Sequence, residues 1–211
     1  MLDTLAGPVR AEIEVARSRF VCDLAPAADE GAAAAVLAAA RREFHDARHH
    51  GSAWVLGPDG DTVRWNDDGE PSGTTGAPML AVLQGAALSD VVAVVTRYFG
   101  GTLLGAGGLV RAYGDAVRAA LSAAERVARR TLTVVEVTAG HAQAGRLEHH
   151  LRHLLGAFDG HLDDVRYEAA SVRFVLALPE GADGELEAAL AGSGLDHEVG
   201  TRGTRTGTLP G

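Results

Sequence analysis

Two glycine-rich loops hold most of the residues in this 211-residue sequence whose types and spacing could support chemistry. The first loop, residues 65–78, carries the carboxylates of Asp67, Asp68 and Glu70, followed by three hydroxyls and several glycines. It leads into a predicted helix, so its N–H and O–H groups and the helix N-terminus could cradle an anion. Two other interpretations stay open: the carboxylates could hold a hard cation, or they could cap backbone amides in a turn.

The second loop, residues 97–111, follows a predicted buried strand and opens a helix, which is the context of a dinucleotide-binding fingerprint. Val110 occupies the third glycine position of that fingerprint, so we predict no such site. Arg97 could bind a phosphate or carboxylate through two parallel hydrogen bonds, or pair with a carboxylate of the first loop. Arg111 is predicted to be exposed, and an ion pair with Asp115 on the same helix face is the alternative to a binding role.

Histidines form a third cluster, because His45 and His49 are four residues apart and run into His50. With nearby carboxylates they could ligate a metal, but no further ligand follows at a diagnostic spacing. A partly charged histidine near a helix C-terminus is favourable without any metal. We therefore predict neither a metal site nor a cofactor. The sequence also lacks the Gly-x-Ser-x-Gly, Cys-x-x-Cys and His-Glu-x-x-His motifs, so catalytic residues stay unassigned.

The charge composition narrows the function classes. All 19 basic residues are arginine, and the absence of lysine excludes a P-loop, a Schiff-base enzyme and a Ser-x-x-Lys hydrolase. The 28 acidic residues give a net charge of −9, which opposes general attraction to nucleic acid but leaves a local arginine-lined site possible.

The remaining composition indicates the compartment. Cys22 is the single cysteine, so an intrachain disulfide cannot form, and its place in a predicted strand favours a small core residue over a nucleophile. The N-terminal residues lack a basic segment followed by an apolar run, and no stretch of about 18 apolar residues occurs. We expect a cytoplasmic protein without a membrane segment.

Apolar periodicity predicts an α/β chain, of the α+β type, with two domains. In residues 1–128 it indicates strands at about 9–15, 19–24, 52–56, 62–66 and 90–97, and helices at about 29–47, 78–87 and 108–124. Pro78 is expected at the first position of its helix. In residues 129–204 the predicted order is βαββαβ, the ferredoxin-like plan. The glycine- and threonine-rich residues 205–211 are expected to form a loose tail.

At these loops the sequence resembles the IMPACT/YigZ family, over roughly residues 9–125. The matching strings are residues 18–20, 46–50, 67–74, 76 with 78–80, 97–101, 105 and 109–114. The resemblance implies a bacterial two-domain member whose first domain has the α/β fold shared with RNase PH and a domain of small-subunit ribosomal proteins. The second domain looks similar to the C-terminal domain of elongation factor G. Gly51 replaces a cysteine common in bacterial relatives, and Ala77 replaces a cation of the first loop.

The resemblance also implies a type of function. The family has no established catalytic reaction, its eukaryotic members restrain a translation-control kinase by competing for its effector, and bacterial members are suspected of binding nucleic acid or the ribosome. This favours a non-catalytic regulator of translation that binds RNA, the ribosome or a translation factor, although the sequence leaves open whether a reaction occurs. The alternative is an enzyme or sensor for a small phosphate-bearing anion, with or without a divalent cation.

The candidate binding residues come from both loops and the histidine segment. We expect the loops to converge, because each leaves a neighbouring element of one sheet. The candidates are Arg48, His49, Asp67, Asp68, Glu70, Ser72, Gly73, Thr74, Gly76, Arg97, Gly100, Gly101, Gly105 and Arg111.

Overall fold

A computed structural model describes residues 2–207, with the side chains of residues 201 and 202 excepted. The chain divides into two compact units, residues 1–128 and 129–211. Each unit has its own sheet and its own hydrophobic core. No helix within the described residues is long and apolar enough to cross a membrane.

The first unit is built on a five-stranded antiparallel sheet with the strand order β2-β3-β6-β4-β5. A two-stranded ribbon pairs β1 with β7. The strands are β1 (Thr4–Leu5), β2 (Val9–Val15), β3 (Ser18–Pro26), β4 (His49–Leu56), β5 (Thr62–Asn66), β6 (Val91–Tyr98) and β7 (Arg126–Val127).

Three helices cover the two faces of this sheet: α1 (Glu30–Glu43), α2 (Gly76–Gly85) and α3 (Gly105–Ala123). Helix α1 packs on one face, where Val92 and Val94 of β6 are buried. Helices α2 and α3 pack on the other face with the alternate residues of the same strand. Strand β6 is thus buried on both faces, as its continuous run of valine and alanine predicts.

Local hydrogen bonds explain where the helices begin and end. The Asp29 carboxylate accepts from the Ala32 N–H at 2.7 Å and caps α1. Helix α1 ends at Glu43, four residues earlier than the periodicity predicts, because Phe44 already has non-helical dihedral angles. Helix α2 begins at Gly76, so Pro78 is its third residue rather than its first. Proline is tolerated there because the first four N–H groups of a helix have no intrahelical acceptor.

The second unit has the ferredoxin-like order that the sequence predicts. Its elements are β8 (Arg130–Gly140), α4 (His141–Ala157), β9 (His161–Tyr167), β10 (Ser171–Pro179), α5 (Asp183–Ala191) and β11 (Glu198–Gly207). The four strands are antiparallel in the order β11-β8-β10-β9, and Leu147 and Leu151 of α4 pack with Phe174 in the core.

Strand β11 corrects the expectation of a loose tail from residue 205. It continues to Gly207 because the long strand β8 offers pairing partners as far as Arg130. The Arg205 side chain also donates to both Asp163 carboxylate oxygens, at 2.9 and 2.7 Å. Residues 208–211, the remainder of that predicted tail, lie outside the described residues.

Candidate functional site

Asp67 organises the first glycine-rich loop from within. One carboxylate oxygen accepts from the Gly73 N–H at 2.8 Å, and the other accepts from Thr75 at 3.0 Å and Gly76 at 2.8 Å. The side chain therefore satisfies N–H groups at the start of α2, where an acidic group is also favoured by the helix dipole. The sequence leaves several roles open for Asp67, and this geometry corresponds to the capping of backbone amides.

Asp68 ties the same loop to α1 and β4. Its carboxylate accepts from the Arg41 guanidinium at 2.5 Å and from the His50 N–H at 2.7 Å. Its backbone carbonyl lies 2.8 Å from His49 Nδ1, which must donate because a carbonyl oxygen can only accept. The residue adopts a positive φ of 47°, a conformation that aspartate tolerates better than most residues. Both oxygens of Asp68 are thus used in holding the loop.

Glu70 joins the two glycine-rich loops. Its Oε1 accepts from the Arg97 guanidinium at 2.6 Å and from the Tyr113 hydroxyl at 2.9 Å. The Arg97 and Glu70 side chains are only 8% and 5% exposed. Burial, together with the negative charge of Glu70, raises the pKa of Tyr113 well above its usual range, so this hydroxyl is a stable donor. The loops converge at this ion pair, as their position in the sheet predicts.

Next to the ion pair lies a cleft of about 610 Å³, which we call the Phe99 cleft. One wall is the segment that connects α1 to β4, and the other is the end of β6 with the loop that follows it. The cleft is lined by Asp46, Ala47, Arg48, His49, Arg97, Tyr98, Phe99 and Leu103.

Two apolar side chains of this cleft face solvent. Phe99 is 57% exposed and Leu103 is 88% exposed. The Arg97 guanidinium carbon lies 5.7 Å from the centre of the Phe99 ring, within the range of a cation–π contact. An exposed aromatic ring beside arginine is a surface on which a planar group can stack.

The cations of the cleft differ in how far they are already engaged. Arg48 is exposed and makes no ion pair with the described part of the chain. Arg97 is paired with Glu70, but its buried Nε has no hydrogen-bond partner. His49 uses Nδ1 on the Asp68 carbonyl, and Nε2 is left for another group. Arg48 is therefore the cation with the most freedom to meet an anion.

Tyr98 and Asp46 line the cleft and are joined by a hydrogen bond. The Tyr98 hydroxyl donates to the Asp46 carboxylate at 2.6 Å, and the Arg19 guanidinium lies 4.7 Å from the Tyr98 ring centre. This hydrogen bond raises the pKa of Tyr98 and lowers the pKa of Asp46. At neutral pH the pair is therefore a phenol donating to a carboxylate, and it fixes the ring next to Phe99.

His50 follows the cleft residue His49 in β4 and is almost fully buried. Burial is the main cause that lowers the pKa of its imidazole, and the nearby Asp68 carboxylate opposes this effect. Its Nε2 has no hydrogen-bond partner. Among the described residues, no three His, Cys, Asp or Glu side chains are grouped as metal ligands would be.

Several predicted glycines serve packing. A Cβ on Gly100 would lie 2.0 Å from the backbone carbon and oxygen of Arg17, and a Cβ on Gly76 would lie 2.8 Å from the Asn66 nitrogen. Gly100 thereby lets the second loop contact the β2–β3 turn, where its N–H donates to the Ser18 hydroxyl at 3.1 Å. Positive φ angles explain three further candidates, Gly73, Gly101 and Gly105.

The hydroxyls of the first loop have two different environments. The Thr74 side chain is buried and donates to the Pro71 carbonyl at 2.6 Å, whereas Ser72 is exposed. Thr75 fills the space beside Gly51, since a Cβ on Gly51 would lie 2.0 Å from the Thr75 methyl carbon. A cysteine at position 51 would require Thr75 to move.

Arg111 lies apart from the Phe99 cleft, in a groove between α2 and α3. The alternative pairing with Asp115 is not formed, because Asp115 accepts from Arg118 at 2.8 Å instead. Sequence reasoning also missed five residues that line the cleft: Asp46, Ala47, Tyr98, Phe99 and Leu103. Apolar side chains within a glycine-rich surface loop were the available indication for Phe99 and Leu103.

Comparison with known proteins gives consistent matches. A sequence model described as the Impact N-terminal domain matches residues 16–121. The chain is 41% identical over 188 residues to IMPACT family member YigZ of Escherichia coli K12, covering 88% of this chain and 90% of the relative. It is 43% identical over 141 residues to IMPACT family member YvyE of Bacillus subtilis, covering 67% of this chain and 65% of the relative.

A solved structure gives a match over nearly the whole chain. It is described as the crystal structure of a hypothetical protein, with a TM-score of 0.68, 39% sequence identity, and coverage of 94% of this chain and 95% of the other. The fold and the two joined loops define a mixed α/β protein of two units, the second of them ferredoxin-like. The chain belongs to the IMPACT family.

Proposed function

We propose that this IMPACT family member acts on translation in the cytoplasm as a non-catalytic protein that binds single-stranded RNA in the Phe99 cleft. The observation that carries the proposal is the exposed Phe99 ring, which lies beside Arg97 and shares the cleft with Arg48, an arginine without an ion pair in the described part of the chain. RNA is recognised mainly in single strands, whose unstacked bases stack on aromatic side chains. Ribosomal RNA and free RNA offer the same chemistry, and a translation factor is the other partner type that the family resemblance implies.

Stacking would supply most of the affinity. A base on an aromatic ring contributes about 1–3 kcal/mol, and Phe99 has the exposed face to receive one. Leu103, which is also exposed, adds an apolar neighbour for the sugar or an adjacent base.

Electrostatic attraction would contribute less. Arg97 is already neutralised by Glu70, so Arg48 is the main phosphate-binding group of the cleft. Each neutralised phosphate of a single strand makes the slope of log affinity against log salt more negative by about 0.7. One or two contacts give a slope of about −1, which is shallow and agrees with the net charge of −9.

A small phosphate-bearing ligand is the alternative for the same cleft. It would use Arg48, the exposed cation of the cleft, but it would not need Phe99 unless it also carried a base. The first-loop carboxylates Asp67 and Glu70 are occupied by backbone and arginine groups, which favours RNA over a metal–phosphate ligand.

The test is fluorescence anisotropy with a labelled 12-nucleotide single-stranded RNA at about 50 mM salt, where electrostatic contacts are strong. We expect Phe99→Ala to weaken binding about ten-fold or more, as loss of one stacked base predicts, and Arg48→Ala to weaken it several-fold. Tyr167→Ala and Arg42→Ala are the matched controls, since both residues are exposed and lie outside the cleft. They should bind as the wild type does.

Three results would contradict RNA binding. The first is no association of the wild type with RNA at 50 mM salt. The second is Phe99→Ala binding RNA as tightly as the wild type does, and the third is Tyr167→Ala losing as much affinity as Phe99→Ala. A thermal-shift screen with nucleotides and inorganic phosphate tests the alternative of a small phosphate-bearing ligand. A ligand at 100 times its dissociation constant adds about 2.7 kcal/mol to the free energy of unfolding, so a bound ligand should raise the melting temperature. Co-sedimentation with ribosomes that depends on Phe99 would locate the RNA on the ribosome.

A further inference from the structure

The groove between α2 and α3 is a second surface of the first unit, separate from the Phe99 cleft. We call it the α2–α3 groove; it has a volume of about 770 Å³. It is lined by Pro78, Ala81, Val82, Gly85, Ala86, Val110, Arg111, Gly114, Arg118, Leu121, Ser122 and Arg126.

The groove follows both helices along their length. On α3 its lining extends from Val110 to Ser122, a rise of about 18 Å, and on α2 and the residue after it from Pro78 to Ala86, about 12 Å. An elongated groove between two helices has the shape that accepts a third helix. A helix of about 12 residues would span it.

The floor of the groove is made of small and apolar side chains. Ala81 and Gly85 are exposed and allow the backbone of a docked helix to approach closely, and Val110, which is 39% exposed, can contact its apolar face. None of the lining residues is aromatic. Bases would therefore find nothing to stack on here, which favours a protein helix over RNA.

Every charged residue that lines the groove is an arginine, although the chain as a whole has a net charge of −9. Arg111 makes no ion pair with the described residues, and Arg118 is held only by the exposed Asp115. Such an exposed pair is weak and can exchange. Arg126 donates to the Ala86 carbonyl at 3.1 Å, which places its charge at the end of α2.

We propose that the α2–α3 groove binds an acidic amphipathic helix of a partner protein. Arg111 and Arg118 are seven residues apart on α3, so their side chains stand two helical turns or about 10 Å apart along one face. Two carboxylates with the same seven-residue spacing on the partner helix can pair with them, each accepting from a guanidinium. Apolar residues on the same face of the partner helix, beyond the two carboxylates, then cover Val110 and Leu121.

A library of random 16-residue peptides displayed on phage, selected on the full chain, tests this proposal. We expect the recovered peptides to share two acidic residues seven positions apart on an apolar helical face. Synthetic fluorescein-labelled copies should bind the double variant Arg111→Glu with Arg118→Glu at least ten-fold more weakly, because attraction becomes repulsion. Ala81→Trp should weaken binding similarly, since it fills the groove from an exposed position.

Two controls separate this surface from the others. Arg42→Glu changes the same charge on α1, which covers the opposite face of the sheet, and should bind the peptide normally. Phe99→Ala should also bind it normally, so failure of the RNA proposal leaves this one standing. The proposal is overturned if no peptide is enriched, if enriched peptides lack the acidic pair, if both groove variants bind as the wild type does, or if single-stranded RNA displaces the peptide.

Discussion

Arg97 of β6 donates to Glu70 of the first glycine-rich loop at 2.6 Å, and this buried ion pair locks the two loops together. Tyr113 of α3 donates to the same carboxylate oxygen, so a strand, a loop and a helix meet at one acceptor. The pair also decides how Arg97 contributes to the charge of the Phe99 cleft. Because Glu70 neutralises Arg97, Arg48 is the cation available to an anionic partner there.

Replacing Glu70 with alanine is expected to destabilise the first unit by about 3–5 kcal/mol, because it leaves a buried arginine unpaired. Urea denaturation followed by tryptophan fluorescence measures this, since both tryptophans, Trp54 and Trp65, lie in that unit. Glu12→Gln is the control, because its ion pair with Arg19 is exposed. That change should alter stability by less than about 1 kcal/mol.

A double variant distinguishes loss of the pair from loss of packing. Glu70→Met combined with Arg97→Met removes both charges and keeps the volume, and such replacements are often neutral. We expect the double variant to be more stable than Glu70→Ala. A double variant that is no more stable would indicate that the charges themselves are required.

Asp67→Ala should destabilise the first loop, since the Gly73, Thr75 and Gly76 N–H groups lose their acceptor. The expected loss is about 1–3 kcal/mol, with faster hydrogen exchange at those three amides. Ser72→Ala is the matched change in the same loop, where an exposed side chain should matter by less than about 0.5 kcal/mol. Equal stability of Asp67→Ala and the wild type would contradict the capping role.

Gly100 and Gly107 should respond in opposite directions to alanine. A Cβ at Gly100 would overlap the Arg17 backbone, so Gly100→Ala should cost about 1–3 kcal/mol. A Cβ at Gly107 meets open space within α3, so Gly107→Ala should stabilise the first unit by up to about 1 kcal/mol. The fluorescence-detected urea midpoint checks both, and a stabilising Gly100→Ala would contradict the close approach of the loop to the β2–β3 turn.

His50 should make stability depend on pH. In the folded protein, burial lowers the pKa of its imidazole, although the Asp68 carboxylate opposes this effect. In the unfolded chain the pKa is about 6.5. The unfolded chain therefore takes up a proton first, and the free energy of unfolding falls as pH decreases below about 6.5 until the folded pKa is reached. His50→Gln should lose less stability than the wild type between pH 7.5 and 5.5.

The measurement for His50 is a series of urea titrations, again followed by tryptophan fluorescence. His149→Gln, an exposed histidine of the second unit, is the control and should keep the wild-type pH dependence. An identical pH dependence of His50→Gln and the wild type would show that this imidazole does not titrate differently in the two states.

The sequence predicts the elements well because their patterns are local. Val9–Val15 alternates and is a strand over those residues, and the βαββαβ order of the second unit is recovered in full. Two of the errors lie where groups outside the element intervene. Strand β11 extends to Gly207 because β8 pairs with it, and α2 begins at Gly76 because the Asp67 carboxylate, nine residues earlier, accepts from its N–H.

The sequence by itself determined the residue types at the site, the absence of lysine chemistry and the order of helices and strands. Only the tertiary structure decided how the arginines are used. Arg97 is 27 residues from Glu70 yet is neutralised by it, and Arg111 faces a different surface from Arg48. Helical and strand periodicity act over a few residues, whereas these contacts depend on how helices pack on the sheet. The exposure of Phe99 is decided at the same level, and the proposed RNA site depends on it.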